Sequence, residues 1–112
     1  MIQTEIEFSR QVTEEGIQRA VDSANRVHEN WSDKAYDYLL NFVKTRKKGE
    51  RFLIEDVRQD ATTLVPHPPS YRAWGAIARR AIMEGVIVKV GYRKVKNSRA
   101  HQANAAVYIK GI

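Results

Sequence analysis

Cationic side chains are distributed unevenly along this 112-residue sequence: residues 70–112 carry nine Lys and Arg against one acid, whereas residues 1–43 carry four against eight. Two groups in the basic segment have types and spacing suited to chemistry. Arg72, Arg79 and Arg80 fall in a run of helical periodicity, and Arg93, Lys94, Lys96 and Arg99 fall in a polar stretch that holds His101 and several amide side chains but no acid up to Asn104. A guanidinium presents a planar fork that matches a phosphate, or the O6 and N7 of guanine, with paired hydrogen bonds. The chemistry implied is non-covalent capture of a polyanion, driven partly by release of condensed counterions. Nucleic acid is the first partner this predicts and an acidic protein the second. A basic surface kept for solubility is the bland alternative, and it leaves the self-repulsion of so polarised a chain without a counter-surface.

Covalent chemistry has fewer candidates. Glu55, Asp56 and Asp60 form the densest acidic cluster, and positions 56 and 60 share a helical face able in principle to hold Mg²⁺, but no accompanying group follows and a solvated helix start accounts for the acids. His28, His67 and His101 lack the spacing of a zinc site. There is no cysteine, which removes disulfides, thiolate metal sites and a cysteine nucleophile. Neither a phosphate-cradling glycine loop nor a Gly-x-Ser-x-Gly elbow occurs. The expectation is a protein that is not an enzyme and needs no cofactor or metal. No run of about 20 apolar residues is present for a membrane span, and the first 30 residues lack the apolar core of a signal peptide, so a cytoplasmic protein is expected.

The elements that must position these groups follow from periodicity. Residues 1–12 read as a partly extended lead-in. Thr13 reads as an N-cap, and Ile17, Ala20, Val21, Ala24 and Val27 then recur at helical spacing, a narrow stripe that either extends the core or pairs with a second copy. A second helix opens at Ser32, with Trp31 stapling onto Tyr36, and closes on Lys44, Arg46, Lys47, Lys48 and Gly49. That basic run, with Arg51, offers a further phosphate contact, although a solvated helix end explains it as well. Residues 51–54 read as a short strand, and residues 55–62 as a short helix turning Val57, Ala61 and Leu64 inward.

Pro66, Pro68 and Pro69 force a loop, after which Ser70 opens a helix over residues 70–84 with Trp74, Ile77, Ala78, Ala81 and Ile82 on its apolar face and Gly85 as its stop. At 100° per residue the stripe centres on Trp74, Ala78 and Ala81, leaving Arg72, Ala76, Arg79 and Met83 opposite and Ala73 and Arg80 on a flank. Trp74 belongs to the core, whereas Tyr71, Tyr92 and Tyr108 are candidates for the basic side. Beyond Gly85 the period changes to two: Val86, Val88, Val90 and Tyr92 alternate with Ile87, Lys89, Gly91 and Arg93, and a second strand follows over residues 105–110. Helix, strand, helix, turn, helix, strand, loop, strand is the element order of a winged helix, here with one extra helix in front.

The segment 32–110 resembles the winged-helix branch of the helix-turn-helix superfamily. Tyr71-Arg72-Ala73-Trp74-Gly75-Ala76-Ile77-Ala78-Arg79-Arg80-Ala81, followed by Glu84-Gly85-Val86-Ile87 and Gly91-Tyr92, is similar to small winged-helix proteins of phage and prophage replication or recombination regions. The resemblance implies an α+β, mostly helical fold with a two- to three-stranded antiparallel wing sheet, residues 1–30 being a lead-in and helix and residues 31–112 the winged-helix domain. It implies DNA binding by Ser70, Tyr71, Arg72, Arg79 and Arg80 at the recognition helix and by Arg93, Lys94, Lys96 and Arg99 in the wing. The expected function is replication, recombination or transcription control. A module that docks an acidic partner is the alternative. The connection over residues 63–69 is longer than the tight turn of the parent motif.

Overall fold

The computed structural model describes the backbone of residues 5–94 and 104–112, and side chains from residue 14 to 93 and from 105 onward. The fold is α+β and mostly helical: α1 (Glu5–Val27), α2 (Trp31–Lys44), α3 (Ile54–Asp60) and α4 (Arg72–Met83) precede β1 (Ile87–Lys94) and β2 (Asn104–Lys110), which pair antiparallel. Among the described residues no helix is long and apolar enough to cross a membrane.

From Glu5 on, the segment expected to be a partly extended lead-in is helical. Residues 5–27 contain no proline and a single glycine, Gly16, so a helix once nucleated continues, and Thr13 lies inside it rather than capping it. Of the expected α1 stripe, Ala20, Val21 and Ala24 are buried in the core shared by the described helices, Ile17 is partly buried and Val27 is 60% exposed. The small side chains of the three buried residues let neighbouring helices approach closely.

α2 begins one residue earlier than Ser32. Asn30 takes the left-handed conformation, with φ of 57°, and the Ser32 amide donates to the Asn25 side-chain oxygen at 3.0 Å. Trp31, expected just outside the helix, is its first residue and is fully buried. Its indole Nε1 donates to the Pro66 carbonyl at 2.8 Å, and its ring meets Trp74 edge-on, with centroids 5.4 Å apart. One side chain thereby ties α2 to α4 and to the proline loop. Ala35, Leu39 and Val43 complete the inner face of α2. Burying each of the larger side chains contributes about 1.5–3 kcal/mol before entropy is counted.

The strand expected over residues 51–54 is reduced to one bridge, in which Phe52 and Tyr108 exchange two backbone hydrogen bonds of 2.9 and 2.8 Å. It ends there because Asp56 accepts from the Leu53 amide at 2.8 Å and starts α3. Val57 and Ala61 face inward as expected. Leu64 does not: it is 72% exposed, and Val65 fills the core in its place, since the Leu64 and Val65 amides both turn back onto the Ala61 carbonyl.

α4 starts at Arg72, so Ser70 and Tyr71 precede it, and Gly85 ends it with a φ of 74° that suits glycine. Its buried arc is rotated slightly from the expected one. Ala73, assigned to a flank, is fully buried, and Ile82, assigned to the apolar face, is 41% exposed. In the hairpin, Ile87 opposes Lys110 and Arg93 opposes Ala105, and the register slips between Lys89 and Gly91 so that Val90 forms a bulge. Ile87, Val107 and Tyr108 are buried, whereas Val88, Val90 and Tyr92 are exposed.

Candidate nucleic-acid interface

Arg72, Arg79 and Arg80 project from the outer side of α4, as the periodicity required, but that side is not bare. Arg79 Nη2 lies 3.5 Å from Glu14 Oε1 of α1. Arg80 is held three ways: Nε lies 3.3 Å from Glu84 Oε1, Nη1 lies 3.7 Å from Asp33 Oδ1 of α2, and its guanidinium carbon sits 3.8 Å above the Tyr36 ring. Tyr36 donates its hydroxyl hydrogen bond to Glu84. Burial, reinforced by the Glu84 carboxylate, pushes the Tyr36 phenol up to about 12, and that hydrogen bond holds the Glu84 carboxyl below its usual value. Arg80 is thus a strut between α2 and α4.

α1 crosses the remainder of this face. Arg72 Nη1 lies 3.2 Å from the position a Cβ on Gly16 would take, and Ile17 Cδ1 lies 3.6 Å from the corresponding position on Gly75. A cleft of about 370 Å³ between the two helices is lined by Ile17, Gln18, Ala76, Arg79, Met83 and Glu84, with Arg80 at its side. The three arginines stay exposed as expected, but the acidic extra helix packs on this face and supplies one of the carboxylates that pair with them.

The entrance of α4 is arranged differently. Ser70 Oγ accepts from the Arg72 amide at 3.3 Å. Tyr71 is 55% exposed, with the guanidinium carbon of Arg58 4.0 Å from its ring centroid and the His67 ring 6.4 Å away. Arg58 also reaches Glu55 at 3.5 Å. Arg58, His67, Ser70, Tyr71 and Arg72 thus form a mixed cationic and aromatic edge. Arg58 and His67 were missed as site residues because a cation meeting a ring across a loop of this length leaves no periodic signal in the sequence.

The hairpin holds the other expected residues. Arg93 is exposed on β1. Lys94 opposes Asn104, but its side chain, like Lys96, Arg99 and His101, lies outside what is described. Lys89 Nζ donates to the Tyr92 hydroxyl at 2.9 Å, a bond that raises the lysine above its ordinary value. Lys44, Lys47, Lys48 and Arg51 are exposed at the opposite end of the sheet, beside Lys110, whose Nζ donates to the Arg46 carbonyl at 3.0 Å. Arg46 itself stacks on Phe42 and pairs with Glu50 at 3.6 Å. Among the described residues, the cations at the α4 entrance, on its outer side and at the Lys110 end of the sheet each have their own neighbours.

The acidic cluster considered for a metal has partners of its own. Asp56 caps Leu53, Asp60 accepts from the Tyr38 hydroxyl, and Glu55 accepts from Gln59. The hydrogen bond to Asp60 pushes the Tyr38 phenol up.

No protein-family model, curated protein or solved structure matches the chain.

Proposed function

We propose that the chain is a non-enzymatic DNA-binding protein of winged-helix architecture, acting in phage or prophage replication, recombination or transcription control. The order α2, Phe52 bridge, α3, α4, β1 and β2, with α1 in front, supports that reading. The observation that carries the reading is the ladder running from Phe52 through β2 to β1, which supports a basic hairpin directly after a basic helix. The groups that would contact DNA are Ser70, Tyr71, Arg72 and Arg58 at the entrance of α4, Arg79 on its outer side, Arg93 on β1 and, by their place in the sequence, Lys94, Lys96 and Arg99. Arg72 and Arg93 have no carboxylate within salt-bridge distance among the described residues.

The test is an anisotropy titration on a random duplex. With about six phosphates neutralised, affinity falls roughly 10³-fold between about 50 and 200 mM salt. No binding at the lower salt overturns the proposal. Single-stranded and branched DNA in the same assay identify the preferred form.

The pairing of Arg79 and Arg80 with Glu14 and Asp33 favours a second reading, in which this face receives carboxylates of an acidic protein. That reading gains if a poly-glutamate peptide binds and is lost on alanine substitution of Arg72, Arg79 and Arg80 while duplex affinity is unchanged.

A further inference from the structure

α4 and the helix lying across it are too thick together for a DNA groove. The major groove is about 12 Å wide and a helix with its side chains about 10–12 Å across, so the groove admits one helix and not a crossed pair. The α4 face opposite the core consists of Arg72, Ala76, Arg79 and Met83, and all four meet or border α1 through Gly16, Glu14 and the cleft shared with Ile17 and Gln18.

The two parts of α1 are seated differently. Ala20, Val21 and Ala24 are buried in the core. Residues 14–18 rest on α4 through an ion pair whose side chains are both nearly half exposed, through Ile17 against Gly75, and across an open cleft. Gly16, an unfavourable residue in a helix interior, stands within that outer part.

We infer that residues 14–18 form an autoinhibitory cover over α4, in which the Glu14 carboxylate occupies the Arg79 guanidinium that a DNA phosphate takes when the cover lifts. This rests on the DNA-binding reading above. Carboxylate and phosphate are acceptors for the same guanidinium fork, so the two states compete for one group. Duplex affinity is scaled down by the fraction of molecules in which the cover is open.

Glu14→Gln is compared with Glu15→Gln, an equal charge change at a neighbouring exposed carboxylate. Loss of an exposed ion pair corresponds to about a 2- to 5-fold gain in duplex affinity for Glu14→Gln, against less than about 1.5-fold for Glu15→Gln. In the opposite direction, Gln18→Cys with Met83→Cys places the only two thiols across the cleft. Joining them with a short bifunctional reagent weakens duplex binding roughly tenfold or more relative to the same protein with each thiol capped singly, because a closed cover leaves only a small open fraction. Hydrogen exchange of the amides of residues 14–18 accelerates when duplex is added. Equal effects of the two glutamine variants, unchanged affinity on cross-linking, or unchanged exchange in a protein that does bind duplex overturns the cover alone. Failure of every protein, Glu14→Gln included, to bind at low salt overturns the DNA reading and the cover with it.

Discussion

Arg80→Ala separates a structural arginine from a DNA-contacting one. The wild-type side chain lies on the Tyr36 ring at 3.8 Å and reaches carboxylates of Glu84 and Asp33. Such a cation–π contact is worth about 0.5–1 kcal/mol at an exposed site, and the two solvent-exposed ion pairs together add roughly 0.5–1 kcal/mol. Truncation should therefore cost about 1–2 kcal/mol, which lowers the melting temperature by roughly 4–12 °C for a domain of this size. DNA binding should respond little, since the guanidinium is already committed to the protein. A phosphate contact would lower the slope of log affinity against log salt by about 0.9, whereas a strut leaves that slope unchanged within about 0.3. Thermal unfolding and salt-dependent anisotropy on the same preparation give both readouts. A slope reduced by about one with an unaltered melting temperature would refute the reasoning.

Arg93→Ala should behave in reverse, reducing the salt slope by about one contact with stability changed by less than about 0.5 kcal/mol. Trp31→Phe removes the only indole donor to the Pro66 carbonyl and leaves a small void in the core. The combined loss should be about 2–3 kcal/mol in urea unfolding, and a loss under about 0.5 kcal/mol would show that the loop does not depend on this anchor. Because Tyr36 is kept neutral by its raised value, its contribution is complete below the ordinary phenol value near 10 and is lost as pH rises toward about 12. Phenolate absorbance should show a tyrosine ionising at about 12, and Tyr36→Phe should remove that step while leaving the raised Tyr38 and Tyr108 in place. Glu84 has the opposite sign: its contribution is present above the usual carboxylate range and disappears as pH falls through its depressed value, so Glu84→Gln should flatten the acid limb of a plot of melting temperature against pH.

Elements with strong local signals were legible in the sequence. The apolar spacing of α2 and α4, the change of period after Gly85 and the prolines before α4 sufficed to order the helices and the hairpin. Boundaries set by tertiary contact were not. Trp31 joins α2 because its indole finds a carbonyl 35 residues away, and Leu64 yields its inward place to Val65 through a turn that periodicity does not encode. The candidate site was legible as a set of cations and illegible as an arrangement. Angular position placed Arg79 and Arg80 outside the core, but could not show that Glu14 and Asp33, each on a different helix, would arrive beside them. Arg58 entered the site through the Tyr71 ring, a relation set by the path of the proline loop.

The slip at Val90 has a consequence for how this chain behaves among its own copies. Among the described residues β1 has β2 on one side only and exposes Val88, Val90 and Tyr92, a combination that ordinarily templates intermolecular strand stacking. A displaced residue in mid-strand breaks the even repeat of donors and acceptors that an incoming strand must match, and the ammonium of Lys89 beside it adds a desolvation penalty to any such approach. Crowded preparations should therefore stay free of fibrils as long as this irregularity is kept.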